Sequence, residues 1–385
     1  MATARGATMS PASYAAPSRP KRRGRWRLAL MLPAGLCLLA GLDAALILLD
    51  VPAPVQIAAW GPAHSLAMVF GFVGAMIALE RAVAWGRAAG YAAPVLLALG
   101  GGSQLFAAPR ALTGTLLILG MAALLATYYP LWRRQRADAV LIQMLGACAG
   151  LGATVLYAGG VEISLLLPWL AAFLVMTIAG ERVELARIQL TSRSQALAVV
   201  LNVALLMSAA ASTLFVQAGT VLFGLVLCAL VLWLAVNDVA RRTVKLKGAP
   251  RYMAACLLAG YFWLLVAGVV WMLGYSAGSG AYDTAVHAVF LGFVMSMIMA
   301  HAPTILPAVL AIDLPYRQAM WLPVILMHAG LVIRLWLGNG LGGQLAWQVG
   351  GVLNVVALLL FVFVALASAL LALTSAPASG KESVK

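Results

Sequence analysis

The chain has 385 residues, of which 64% are hydrophobic and only 9% charged, and its mean hydropathy is +1.00. A soluble domain carries about 25% charged residues, so the composition excludes a water-soluble enzyme and points to a polytopic membrane protein. The net charge of +14 would suggest nucleic acid in a soluble chain; here its placement along the chain matters more than its sum, and the bilayer, not nucleic acid, is the expected partner.

In chain order, residues 1–26 are rich in Ala, Pro, Ser and Arg and read as a disordered tail. Twelve apolar runs follow, at roughly 28–49, 56–80, 91–108, 111–131, 139–160, 163–182, 196–216, 219–238, 252–274, 282–302, 318–338 and 344–373. Each approaches the about 20 residues a membrane helix needs, and the run 91–108 is the shortest and most Gly-rich. The expected fold is an all-α membrane protein with one twelve-helix domain over 27–374 and a short tail, 375–385. No loop is long enough to hold a soluble domain. Lys and Arg collect on the cytoplasmic side of membrane proteins. With both tails placed inside, 23 of the 25 basic residues fall on that side, and only Arg110 and Arg334 lie outside. The four cysteines, Cys37, Cys148, Cys228 and Cys256, sit in apolar runs without CxxC spacing, so neither a zinc site nor a disulfide framework is implied.

Three of the twelve segments share an ending. The second reads Phe72-Val-Gly-Ala-Met-Ile-Ala-Leu-Glu80-Arg81, the sixth Phe173-Leu-Val-Met-Thr-Ile-Ala-Gly-Glu181-Arg182 and the tenth Phe293-Val-Met-Ser-Met-Ile-Met-Ala-His301. The offsets are 101 and 221 residues, and a spacing of four segments suggests three pseudo-symmetric four-helix units. Glu80-Arg81 and Glu181-Arg182 read as ion pairs anchoring helix ends.

All four histidines fall in these segments, where ionisable groups are costly and usually functional. His64 begins the second segment and His287 the tenth, each followed by a Gly-Phe-Val element that starts at Gly71 or Gly292. Measured from the shared endings at about 1.5 Å per residue, their depths differ by roughly 3 Å. Such a pair can clasp one metal, as a haem iron with two axial imidazoles requires, and the glycines would let a flat macrocycle approach the helices. Alternatively, each is an interhelical hydrogen-bonding residue. Asp283 precedes His287 by one turn, so it can fix the ring tautomer or cap the helix. His301 lies at the inner end of the tenth segment, before Pro303, and is a further candidate metal ligand or a solvated rim residue. Arg334 can pair with a carboxylate such as a haem propionate or snorkel to the headgroups. Met295, Met297 and Met299 offer thioethers to copper or serve as packing. Asp43 and His328 are further buried polar positions.

On His64…Phe70-Gly71-Phe72, His287…Gly292, His301, and Arg334 with Trp336, the chain resembles the NnrS family, polytopic haem- and copper-containing membrane proteins linked to the nitric oxide response. More distantly it resembles haem-copper oxidase subunit I. The resemblance implies haem b, copper, a possible redox partner and a bacterial-type inner membrane. The sixth and seventh segments lack the histidines of an oxidase copper centre, which argues against a binuclear reductase. A second expectation is a secondary transporter or channel that uses Asp43, His328 and Arg334 without a cofactor, marked by broken helices at mid-membrane.

Overall fold

The computed structural model describes residues 25–275 and 278–374. The expected tails lie outside the described residues, except that Arg25 and Trp26 already belong to the first helix. Among the described residues there is no strand. Eleven helices among those residues are long and apolar enough to cross a membrane: α1 (Arg25–Leu48), α2 (Ala58–Trp85), α4 (Arg110–Gln135), α5 (Asp138–Ala158), α6 (Ile163–Ala186), α7 (Ser192–Leu214), α8 (Val216–Asn237), α9 (Ala249–Leu273), α10 (Gly280–Leu310), α11 (Gln318–Gly340) and α12 (Gln344–Thr374). The chain is an all-α, multi-pass membrane protein.

The expected third span forms α3, residues 88–106, which lies outside that set of eleven. Its α-helical part is only Ala92–Ser103, with 3₁₀ turns at each end. Because a 3₁₀ turn rises about 2.0 Å per residue and an α-turn about 1.5 Å, the run still extends about 32 Å, enough for a hydrocarbon core of about 30 Å. Consecutive helices pack on one another around the bundle, and α1 also packs against α12, which closes the ring.

Three helices occupy the interior. Within their most apolar stretches, 67% of α2, 78% of α6 and 61% of α10 is buried, against 56% or less for the others. These are the helices that share an ending in the sequence. The likeness of α2 and α10 extends to backbone geometry, since both widen into a π-helix, over Ala67–Gly74 and Ala288–Met295. The two stretches are offset by 221 residues, the same register as the sequence match. α6 carries no π turn. A third π stretch, Ile333–Gly340, lies in α11 and contains Arg334. Stretches of π-helix are uncommon and concentrate at functional sites.

α10 runs past its expected end at 302 to Leu310, with Pro303 and Pro307 inside it. A proline has no N–H for the carbonyl four residues back, which for Pro303 is that of Met299. The Tyr252 hydroxyl donates to that carbonyl at 3.3 Å. Such replacement partners are what make proline tolerable within membrane helices. His301 is consequently a buried residue in mid-helix and not a rim residue, with 8% exposure.

Gly71 and Gly292 are packing positions. A Cβ at Gly71 would lie 2.7 Å from Cys37 Sγ and 3.4 Å from the Gly101 backbone, and one at Gly292 would run into the Trp263 indole. Both glycines therefore accommodate neighbouring helices and not a macrocycle. On the α3 side, a Cβ at Gly101 would lie 2.5 Å from Gly71 Cα and 2.7 Å from the Leu66 carbonyl oxygen. Gly101→Ala should cost about 1–3 kcal/mol, as overpacking does, whereas Gly35→Ala, with nothing within 4 Å, should cost nothing. Thermal unfolding in detergent compares the two, and equal melting would refute the close crossing of α2 and α3.

Candidate functional site

The sequence-derived site residues divide between two places at opposite ends of the bundle. At the first, His64, His287 and Arg334 line one cavity, together with residues of α1, α6 and α12. About 860 Å³ there is not filled by protein atoms, part of it open at the mouth. The walls are mainly aliphatic, and Met68 and Met295 also reach the cavity.

The ring orientation of each cavity histidine follows from its partners. His64 Nδ1 lies 2.8 Å from the Gly41 carbonyl oxygen. His287 Nδ1 lies 3.0 Å from the Asp283 backbone oxygen and 3.0 Å from Asp283 Oδ1. These oxygens only accept, so a neutral ring must carry its proton on Nδ1. Nε2 of each histidine then holds a lone pair and has no hydrogen-bond partner among the described residues. This is the tautomer of a metal-binding imidazole whose other nitrogen is held by an oxygen.

Asp283 anchors this end of the structure. Arg334 donates to both of its oxygens, through Nη2 to Oδ1 at 2.7 Å and through Nε to Oδ2 at 3.1 Å. Asn339 and Trp347 also donate to Oδ2, at 2.8 Å and 3.3 Å. Ser279, not Asp283, caps the helix, accepting from the Tyr282 N–H. The paired fork is the strong form of a carboxylate–guanidinium contact. Arg334 is 7% exposed and stacks over the Trp347 ring, 5.5 Å from its centroid. It neither snorkels nor waits for an outside carboxylate, although its Nη1 has no hydrogen-bond partner among the described residues.

The second place gathers the helix endings. Arg182 donates to Asp238 through Nε at 2.8 Å and Nη2 at 3.0 Å, while Tyr261 adds its hydroxyl to Oδ2 at 2.5 Å and the Ala240 N–H reaches Oδ1 at 2.8 Å. His301 Nδ1 donates to the Met297 carbonyl at 2.8 Å, and its Nε2 lies 3.0 Å from Arg182 Nη1, which donates to it. With both nitrogens engaged and no share in the cavity, His301 does not join His64 and His287. Among the described residues, no three His, Cys, Asp or Glu side chains group as a metal site. Arg182 was expected to pair with its neighbour Glu181, but its partner is Asp238. Asp238 was missed in the sequence, where the only signal was a lone acid before a basic loop.

The remaining polar candidates have local tasks. His328 accepts from Trp263 Nε1 at 2.9 Å, and its Nε2 faces Ser296 Oγ at 3.4 Å. Asp43 Oδ1 accepts from the Val55 N–H at 2.9 Å and touches neither outer arginine. Arg110 donates to the carbonyls of Tyr157 and Val161, at 2.8 Å and 2.5 Å, and so pins the α5–α6 turn.

The family described as domain of unknown function (DUF8744) matches residues 27–370. The chain belongs to this family. The family match takes in every residue of both polar clusters and all three π stretches. No curated protein and no solved structure matches the chain.

Asp238→Asn should destabilise the protein by about 3–5 kcal/mol, the cost of leaving a buried charge without its partner. Asp313→Asn, at an exposed position, should be close to neutral. Chemical or thermal unfolding in detergent measures both, and a small effect at Asp238 would show that Arg182 has another sufficient partner.

Proposed function

We propose that this chain is a haem-binding integral membrane protein in which His64 and His287 would hold the group. The observation that carries the reading is the pair of partnerless Nε2 atoms lining one cavity, each on a ring whose Nδ1 is held by an oxygen. The donor set fits the group, since neutral imidazole is a usual ligand of haem iron. Aliphatic walls suit a flat apolar macrocycle, and Arg334 Nη1 offers one remaining donor to an anionic substituent. Bound haem would supply one-electron chemistry to this site.

The residues set how the site would behave. His287 is held through Nδ1 by Asp283, and Asp283 is itself fixed by Arg334, Asn339 and Trp347, so the imidazole has little freedom to rotate. His64 is fixed by a backbone carbonyl of α1. Two histidines engaged with the group would favour electron transfer with a redox partner over direct binding of nitric oxide. The distribution of basic residues supports an inner (plasma) membrane orientation with both tails cytoplasmic and the cavity in the outer half. A transporter has less support, because α2, α10 and α11 are widened and not interrupted, and Asp43 is tied to a loop amide.

Full-length protein purified in mild detergent from haem-supplied cells should show a Soret band, which His64→Ala and His287→Ala should each abolish or shift strongly. A wild type without cofactor would overturn the reading. A wild type that carries copper and no Soret band would replace haem with Cu(I) on two imidazoles and the thioethers of Met68 and Met295.

A further inference from the structure

Next to the Arg182 cluster, four helices bring together a group of side chains that the haem reading does not use. α2 provides Glu80 and Arg81, α4 Tyr128, α5 Gln143 and α6 Glu181. Arg81 pairs with Glu80, lies 3.8 Å from Glu181 Oε1 through the same Nη2, and donates from Nη1 to Gln143 Oε1 at 3.3 Å. Two carboxylates thus share a single guanidinium. Arg182 offers little relief, because Asp238 already takes two of its nitrogens and His301 the third. The other charges that bear on Glu181 are Glu80, Arg81 and Glu184, and His301 of α10 lies within the electrostatic reach of Glu80. The stretch 88–106, which forms α3, contains no charged residue.

The second observation is independent of the charge count. Tyr128 and Gln143 are both fully buried at 0% exposure, yet among the described residues the Tyr128 hydroxyl and Gln143 Nε2 have no hydrogen-bond partner, and neither has Arg81 Nε. Three donors left without acceptors around one arginine are uncommon, since buried polar groups are nearly always paired by protein or water. An unmet polar group inside a membrane protein costs several kcal/mol, and a polar space of this kind holds water where it is roomy enough. Glu80 and Glu181 keep 22% and 19% of their side-chain surface exposed, so the group is reachable from the end of the bundle.

We propose that Glu80 and Glu181 form a proton-binding site, in which two carboxylates share one guanidinium, one proton and internal water. Like charges at this spacing do not both ionise readily when only one cation compensates them, and the proton restores neutrality. The water accepts from Arg81 Nε, Tyr128 and Gln143 and links the carboxylates to the aqueous phase. The site stands whether or not the cavity at the other end binds haem.

Infrared difference spectroscopy on the full-length protein in detergent, titrated through neutral pH, tests this assignment. The expected result is a protonated carboxyl C=O band that disappears at high pH. Glu181→Gln and Glu80→Gln should each abolish it, because either leaves one carboxylate for one arginine. Glu184→Gln, at an exposed position, should leave it intact. A wild type without such a band, or a band that survives both substitutions, would overturn the proposal. So would a band that appears only when sodium and potassium are replaced by choline, since a metal cation would then hold the place given to the proton. Thermal melting of each variant confirms that it is folded, and the two substitutions are independent routes if one fails.

Discussion

A polar side chain inside a bilayer has no water to fall back on, so it must find its partner within the bundle. That constraint organises this protein. Most of its interior polar residues meet local partners, and its buried charged forks form two clusters towards the two ends of the bundle. At one end Asp283 gathers His287, Arg334, Asn339 and Trp347. At the other Asp238 gathers Arg182, Tyr261 and the Ala240 amide. In each case one carboxylate takes a forked arginine from a distant helix, and each pairing therefore also fixes how two helices stand against each other.

The same constraint separates the histidines. All four have a ring nitrogen engaged by the chain, but among the described residues only His64 and His287 keep the other free of a partner. His301 spends its second nitrogen on Arg182 and His328 faces Ser296. What distinguishes the pair is also visible in the backbone. His64 lies three residues before one π stretch and His287 directly before the other, two residues out of the 221-residue register that relates the stretches themselves. A π turn rotates the residues before it relative to those after it. Each histidine can then face the cavity while Phe70 or Phe293, further along the same helix, stays in the packed interior against Phe173 or Tyr261.

Much of this was legible in the sequence, for definable reasons. Eleven spans follow from hydropathy, and the likeness of α2, α6 and α10 from the shared endings at Glu80, Glu181 and His301, though not their burial. The grouping of His64, His287 and Arg334, and the role of Asp283 behind His287, follow from depth and from an i,i+4 spacing. What failed was long-range pairing. Arg182 and Asp238 are 56 residues apart, and Arg182 and His301 are 119 apart. No local pattern encodes those partners, so a sequence neighbour, Glu181, looked like the obvious one. Pro303 misled for a related reason: its helix-breaking effect is offset by Tyr252, which belongs to another helix. Gly71 and Gly292 show a different ambiguity, because a glycine that admits a neighbouring helix and one that admits a flat ligand look the same in sequence.

The exchange of partners at the second cluster has a consequence for its neighbour. Had Arg182 paired with Glu181, each arginine of the shared Glu-Arg ending would have met its own glutamate, and both pairs would be neutral and closed. Instead Arg182 turns to Asp238, which leaves Glu80 and Glu181 with Arg81 alone. A charge imbalance at a packed helix end is unfavourable unless something mobile corrects it, and three buried donors without a partner among the described residues surround the same guanidinium. Three acids face two arginines here, and the contact that locks α6 to the end of α8 places the surplus charge on Glu80 and Glu181 and not on Asp238. A structural ion pair on one side creates an exchangeable position on the other.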